Sequence, residues 1–179
     1  MEFDGESYID SGLGIDLATS DAVTIMLWFK TDDPSSYSWL LGSGTKVSNE
    51  NKTAFGVNLN SGKVMFNTAT YGGEPLVVQS STPYQAGTWN HVACIFSEKR
   101  GQLYLNGRLE ATEELVSDGS FSTLTPLAIG ADNDTFGGSG TIYMHFTGLL
   151  DDLVVFSRPL TPTEIAAYYN SHAPYATDF

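Results

Sequence analysis

The chain has 179 residues, 41% of them hydrophobic and 12% aromatic, and eight Lys plus Arg against 21 Asp plus Glu give it a formal charge of -13. That apolar content is enough for one self-supporting core and too much for a disordered tail, so a single domain over residues 1–179 is expected. The charge argues against phosphate backbones and anionic lipid surfaces as partners, and no run of ~18 apolar residues offers direct membrane insertion.

Short apolar or alternating runs follow one another between turn signals: "SYIDSG", "AVTIMLWFKT", "SWLLGSG", "TAFGVNLNSGKVMFNTATYGG", "PLVVQS", "TWNHVACIFS", "GQLYLNGRLEATEEL", "TPLAIGA", "TIYMHFTG" and "LLDDLVVF". Strands of this length and spacing, in a chain with 18 Gly, predict an all-β sandwich or barrel. In "AVTIMLWFK", Val23, Ile25, Leu27 and Phe29 share one face and Thr24, Met26, Trp28 and Lys30 the other, so this strand is expected to be central and covered on both sides. "NSG" at 60–62 and "LNGRL" at 105–109 place Asn and Gly where a tight hairpin needs positive φ. Cys94, the one cysteine, precludes an intrachain disulfide and sits in an apolar strand as a buried thiol.

"LLDDLVVF" poses a problem, because in a regular strand Asp151 and Asp152 place one acid on each face among aliphatics. A buried carboxylate needs a cation or several hydrogen-bond donors. After it, "LTPTEIAAYYNSH" carries Thr161 as N-cap, Pro162 at N1 and Glu164 at N3, which predicts a capping-box helix over about 161–171 with Ile165, Tyr168 and Tyr169 on one face. A polar tail, 172–179, follows. Earlier, "GADNDTFGGSG" sets Asp132, Asn133 and Asp134 in a glycine-rich loop. Asp-x-Asp spacing there can wrap calcium, but the EF-hand glycine and glutamate positions are missing, and a plain turn is the alternative.

Catalytic signatures are sparse. "EATEEL" holds Glu110, Glu113 and Glu114 without the alternating acids that a glycosidase strand presents. His91, His145 and His172 are scattered, and neither a zinc H-E-x-x-H nor a G-x-S-x-G elbow occurs. No catalytic residue is assigned.

Taken in order, "FDGESYIDSG", "VTIMLWFK", "GTWNHVACIFSEKRGQLYLNGRLEA", "PLAIGADN" and "FTGLLDDLVVFSRPLTPTEIAAYY" resemble the laminin-G-like, concanavalin A-like jelly-roll domains, including the bacterial form appended to glycosidases, sialidases and adhesins. The resemblance runs from Phe3 to about Tyr169. It implies a two-sheet antiparallel jelly-roll sandwich with a short C-terminal helix, bound Ca2+ in many members, and binding rather than catalysis. Family members place calcium where the terminal strands meet; the matching positions are Asp4 and Asp151 or Asp152, with Asp132 and Asp134 as a second candidate pair.

Sugars need aromatic rings for their C–H faces and polar groups for their hydroxyls. Trp39, Tyr71, Tyr143 and His145 supply the first, Asn60 and Asn133 the second. The expected function is therefore a calcium-stabilised carbohydrate-binding module of a larger secreted or cell-surface protein, with a glycan or cell-surface protein as partner. The alternatives are a protein-binding or spacer domain of a calcium-dependent surface adhesin and, as a minor reading, a glycoside-active enzyme. Oligomeric state is left open.

Overall fold

The computed structural model describes residues 1–12, 22–44, 55–68, 75–116, 126–133 and 142–172. Two six-stranded antiparallel sheets face each other. The first runs β1 (Glu2–Asp4), β12 (Thr147–Phe156), β3 (Ala22–Lys30), β8 (Asn90–Ser97), β9 (Arg100–Leu105), β10 (Arg108–Glu114). The second runs β2 (Ile9–Asp10), β11 (Ala128–Ile129), β4 (Ser38–Ser43), β5 (Phe55–Asn60), β6 (Lys63–Thr68), β7 (Leu76–Gln79). With α1 (Pro162–Ser171), this is the all-β jelly-roll sandwich that the strand pattern and the resemblance predict.

Alternation along each strand builds the core. Ile25, Leu27 and Phe29 of β3, and Val92, Cys94 and Phe96 of β8, face Phe55, Val57 and Leu59 of β5 and Val64 and Phe66 of β6 in one buried cluster. Burial there pushes the Cys94 thiol far above its usual range, which makes it inert. The expected hairpins form at Ser61–Gly62 and Asn106–Gly107, each with two positive φ angles. A third tight turn joins β8 to β9 through Glu98 (φ 51°) and Lys99 (φ 61°), where neither Gly nor Asn announces it.

The outer face of the first sheet carries Met26, Ala93, Ile95 and Tyr104, and α1 covers them with Ile165, helped by Leu160. Burying a side chain such as Ile165 contributes ~1.5–3 kcal/mol. This explains why β3 is apolar on both sides. The predicted capping box is present: Thr161 Oγ1 accepts from the Glu164 N–H at 3.3 Å, and Glu164 accepts from the Thr161 N–H at 2.8 Å. Thr24 Oγ1 fastens the approach to the helix, donating to Arg158 O and accepting from Leu160 N–H.

The acids of "LLDD" are resolved by a β-bulge. Pairing of β12 with β3 slips between Asp151 and Val154, and Asp152 takes φ 48°, a left-handed conformation that Asp tolerates. Asp151 Oδ1 accepts from the Asp152 N–H at 3.0 Å. Both residues are exposed, so water solvates the charges, and neither is buried among aliphatics as a regular strand would require.

Candidate functional site on the outer face of the second sheet

The terminal strands do lie side by side, but their register separates the acids. Asp4 pairs with Thr147, leaving Asp151 four positions further along β12, ~13 Å at ~3.3 Å per residue. Asp4 instead closes its own turn: its carboxylate accepts from the Glu6 N–H (2.9 Å), the Ser7 N–H (2.8 Å) and Ser7 Oγ (3.1 Å), which hold its pKa below the usual value. Among the described residues, no group of three or more His, Cys, Asp or Glu is gathered to hold a metal. The junction of Asp4, Asp151 and Asp152 therefore does not fit a calcium ion. Asp134 lies outside the described residues, as does Tyr71.

The second sheet's outer face is built differently from the first. Across β4, β5 and β6, register aligns Trp39 with Asn58 and Met65, and Gly42 with Gly56 and Asn67. The paired glycines make a flat floor. A Cβ on Gly56 would collide with the Trp39 ring, and one on Gly42 would come 2.9 Å from Asp132 Oδ1 and 3.1 Å from its Cα. Trp39 lies down on this floor, 4% exposed, its N–H donating to Met144 O and its Nε1–H to Met144 Sδ. It is therefore a support beneath the surface, where the sequence reading takes it for an exposed stacking ring.

Two short segments border the floor. Gly130 N–H donates to Leu40 O, Phe146 N–H to Gly130 O, and Asp132 and Tyr143 exchange backbone hydrogen bonds at 3.0 and 3.3 Å. Asp132 is buried at the border. Tyr143 and His145 are half-buried on the same segment, the His145 ring 6.3 Å from that of Tyr8. Tyr37, 45% exposed, stands beside Trp39 and Asn58; burial and then the charge of Asp132 raise its phenol pKa, while Asn58 and Trp39 pull it part of the way back.

The amides set the polarity. Asn67 Nδ2 donates to Asn58 Oδ1 at 2.9 Å, which turns the buried Asn58 Nδ2 toward the Tyr37 hydroxyl, with which it makes no well-formed hydrogen bond. An unmet buried donor costs roughly 1–3 kcal/mol, and an incoming acceptor would recover it. Two other predicted ligand residues are already engaged. Asn133 Nδ2 donates to Pro126 O at 2.6 Å, and Asn60 Oδ1 accepts from Ser61 Oγ at 2.9 Å in the β5–β6 turn.

Glu110 is far from this face. It accepts from Ser81 Oγ and the Thr82 N–H, and Glu114 pairs with Arg100 on the edge strand. The floor glycines and Asn67 escaped the sequence reading. Their available signal was a glycine inside each of two strands, "LLGSG" and "AFGVN", a mark of close approach by another group.

A two-sheet sandwich with one outer face sealed by a helix and the other built on paired glycines beneath Trp39 is a lectin-like jelly-roll domain. A laminin G family model, described as the concanavalin A-like lectin/glucanases superfamily, matches residues 3–166, and the chain belongs to that superfamily. Jeltraxin of Lepidobatrachus laevis is 29% identical over 84 residues, 46% of this chain and 37% of that protein's length.

Among solved structures, a heptameric SAP-like pentraxin from Limulus polyphemus superposes with TM-score 0.72 at 18% identity, covering 94% of this chain and 80% of that one. The CBM40 of a Ruminococcus gnavus IT-sialidase, bound to alpha2,3 sialyllactose, gives 0.70 at 21%, covering 94% and 97%. The NanB sialidase of Streptococcus pneumoniae gives 0.75 at 17%, covering 93% of this chain but 26% of the enzyme. At these identities the likeness is one of fold.

Proposed function

We propose that this chain is a non-catalytic carbohydrate-binding module whose ligand lies on the outer face of the second sheet. The observation that carries this reading is the buried Asn58 Nδ2 donor, oriented by Asn67 toward Tyr37 without a well-formed hydrogen bond, beside Gly42, Gly56 and Trp39. Tyr37, half in solvent beside that amide, shifts to admit a sugar oxygen and offers its ring to the C–H face. Tyr8, Met144 and His145 extend the apolar border. A match limited to 26% of the sialidase chain supports a binding module that accompanies larger proteins, which in turn favours an exported, extracellular or cell-surface setting.

Calcium has no part in this reading at the strand junction. Among the described acids of the expected calcium sets, Asp132 borders the face, and a melting comparison in calcium and in chelator decides whether an ion adds stability there. The binding test is a glycan array followed by calorimetry. Tyr37→Ala is expected to weaken the best glycan at least ~10-fold, about 1.4 kcal/mol, with little loss of melting temperature. Unchanged affinity in that variant, or no glycan bound at all, would sink the proposal.

A further inference from the structure

The sealed face holds a defect that nothing in glycan binding uses. His91 of β8 is fully buried, and neither ring nitrogen has a hydrogen-bond partner; the indole Nε1 of neighbouring Trp28 has none either. Register places the two side by side, ring centroids 5.1 Å apart. The last turn of α1 roofs them. Tyr169 stacks on Trp28 at 5.4 Å and lies 5.8 Å from His91, Tyr168 lies 5.9 Å from His91, and His172 stacks on Tyr168 at 4.0 Å.

An aromatic box with no acceptor aimed at the imidazole tolerates only its neutral form, since a charge there would be desolvated and unpaired. Burial first, and then His172, depress the His91 pKa to about 4. The opposite end of the helix behaves otherwise. Glu164 is held at about 2 by Arg158, whose guanidinium donates to both its oxygens, and by Thr161, so its cap stays ionised well into acid.

We propose that the last turn of α1 is an acid-released latch: protonation of His91 lifts Tyr168, Tyr169 and His172 off the first sheet while the first turn stays docked. Among the described residues, the groups facing the box are few. From α1 come His172, Tyr168 and Tyr169; from β12 come Asp151 and Asp152, whose charges act on Tyr168. Lys30 stands two positions from Trp28 on β3. The β9–β10 turn contributes Asn106, whose side-chain Oδ1 accepts from the His91 N–H and whose own N–H donates to His91 O, and Gly107, on which Tyr169 packs; Arg108 after it acts on Glu110. A positive charge on His172 opposes one on His91.

Hydrogen exchange on the intact chain from pH 7 to pH 4 tests this. Protection factors at 168–171 should fall at least ~10-fold as the pH drops, while β5 and β6 keep theirs. In His91→Phe, which fills the box without a titrating group, the turn should stay protected. Should that variant not fold, the His91 ring resonances of the unmutated chain serve instead, and their titration must coincide with the loss of protection. Asp151→Asn with Asp152→Asn should leave the midpoint where it was. Loss of helix and core strands together, protection kept to pH 4, release in His91→Phe, a ring titration out of step, or a midpoint moved by the Asp pair would each overturn the latch.

Discussion

The two outer faces of this sandwich share a core yet have opposite fates. On the first sheet, Met26, Ala93, Ile95 and Tyr104 form an apolar surface that must be covered, and α1 covers it. On the second, the equivalent positions are Gly42, Gly56, Asn58 and Asn67, small or polar residues against which the Trp39 ring and Asp132 pack directly. The inner-facing residues alone would not distinguish the sheets. What the alternate positions carry decides which face a helix must seal and which one is proposed to bind.

The sharpest way to break the contrast is to strip the cover. Ile165→Ala removes the one fully buried helix side chain and should cost ~2–5 kcal/mol by urea unfolding, with no direct effect on the second sheet. Acid is next. His91 carries its proton less readily folded than unfolded, so the unfolded chain binds more protons between pH ~6.5 and about 4. Its stabilising contribution is complete above that window and is lost as pH falls through it, by about 3 kcal/mol, a loss that His91→Phe should abolish in urea titrations at pH 7 and pH 4.

On the open face, Gly56→Ala should cost ~1–3 kcal/mol, because the added methyl displaces the Trp39 ring, and should perturb tryptophan fluorescence. The smallest effect is expected where the charges looked most costly. Asp151→Asn with Asp152→Asn should stay within ~0.5 kcal/mol of the parent, alike in calcium and in chelator, because the bulge already delivers both acids to water.

Much of this architecture is legible from residues alone. The doubly apolar β3, the Gly-bearing hairpins and the capping box of α1 each follow from local chemistry that tertiary contacts reinforce. The Glu98–Lys99 turn is not legible, since no residue there favours positive φ and the strands on either side impose it. The bulge at Asp152 is hidden for a related reason: alternation assumes an unbroken register, and one extra residue re-aims every side chain after it.

The site is only partly readable. Trp39 and Tyr143 fall in the neighbourhood of the proposed site, but whether a ring is a platform or a foundation depends on a glycine in the adjacent strand. Asn58 gains its meaning from Asn67, a partner across a register that sequence does not specify. The calcium assignment treated neighbouring strands as if that brought their acids together, whereas adjacency fixes only the order of strands, and pairing sets the distance.

Cys94 gives the molecule a built-in sentinel. Its sulfur faces the interior between the sheets, whereas the His91 box opens on the outside of the same strand, so a thiol-reactive dye is blind to movement of the helix turn. Labelling would tick only when the whole sandwich comes apart, letting a single bench assay tell a lifted roof from a collapsed house.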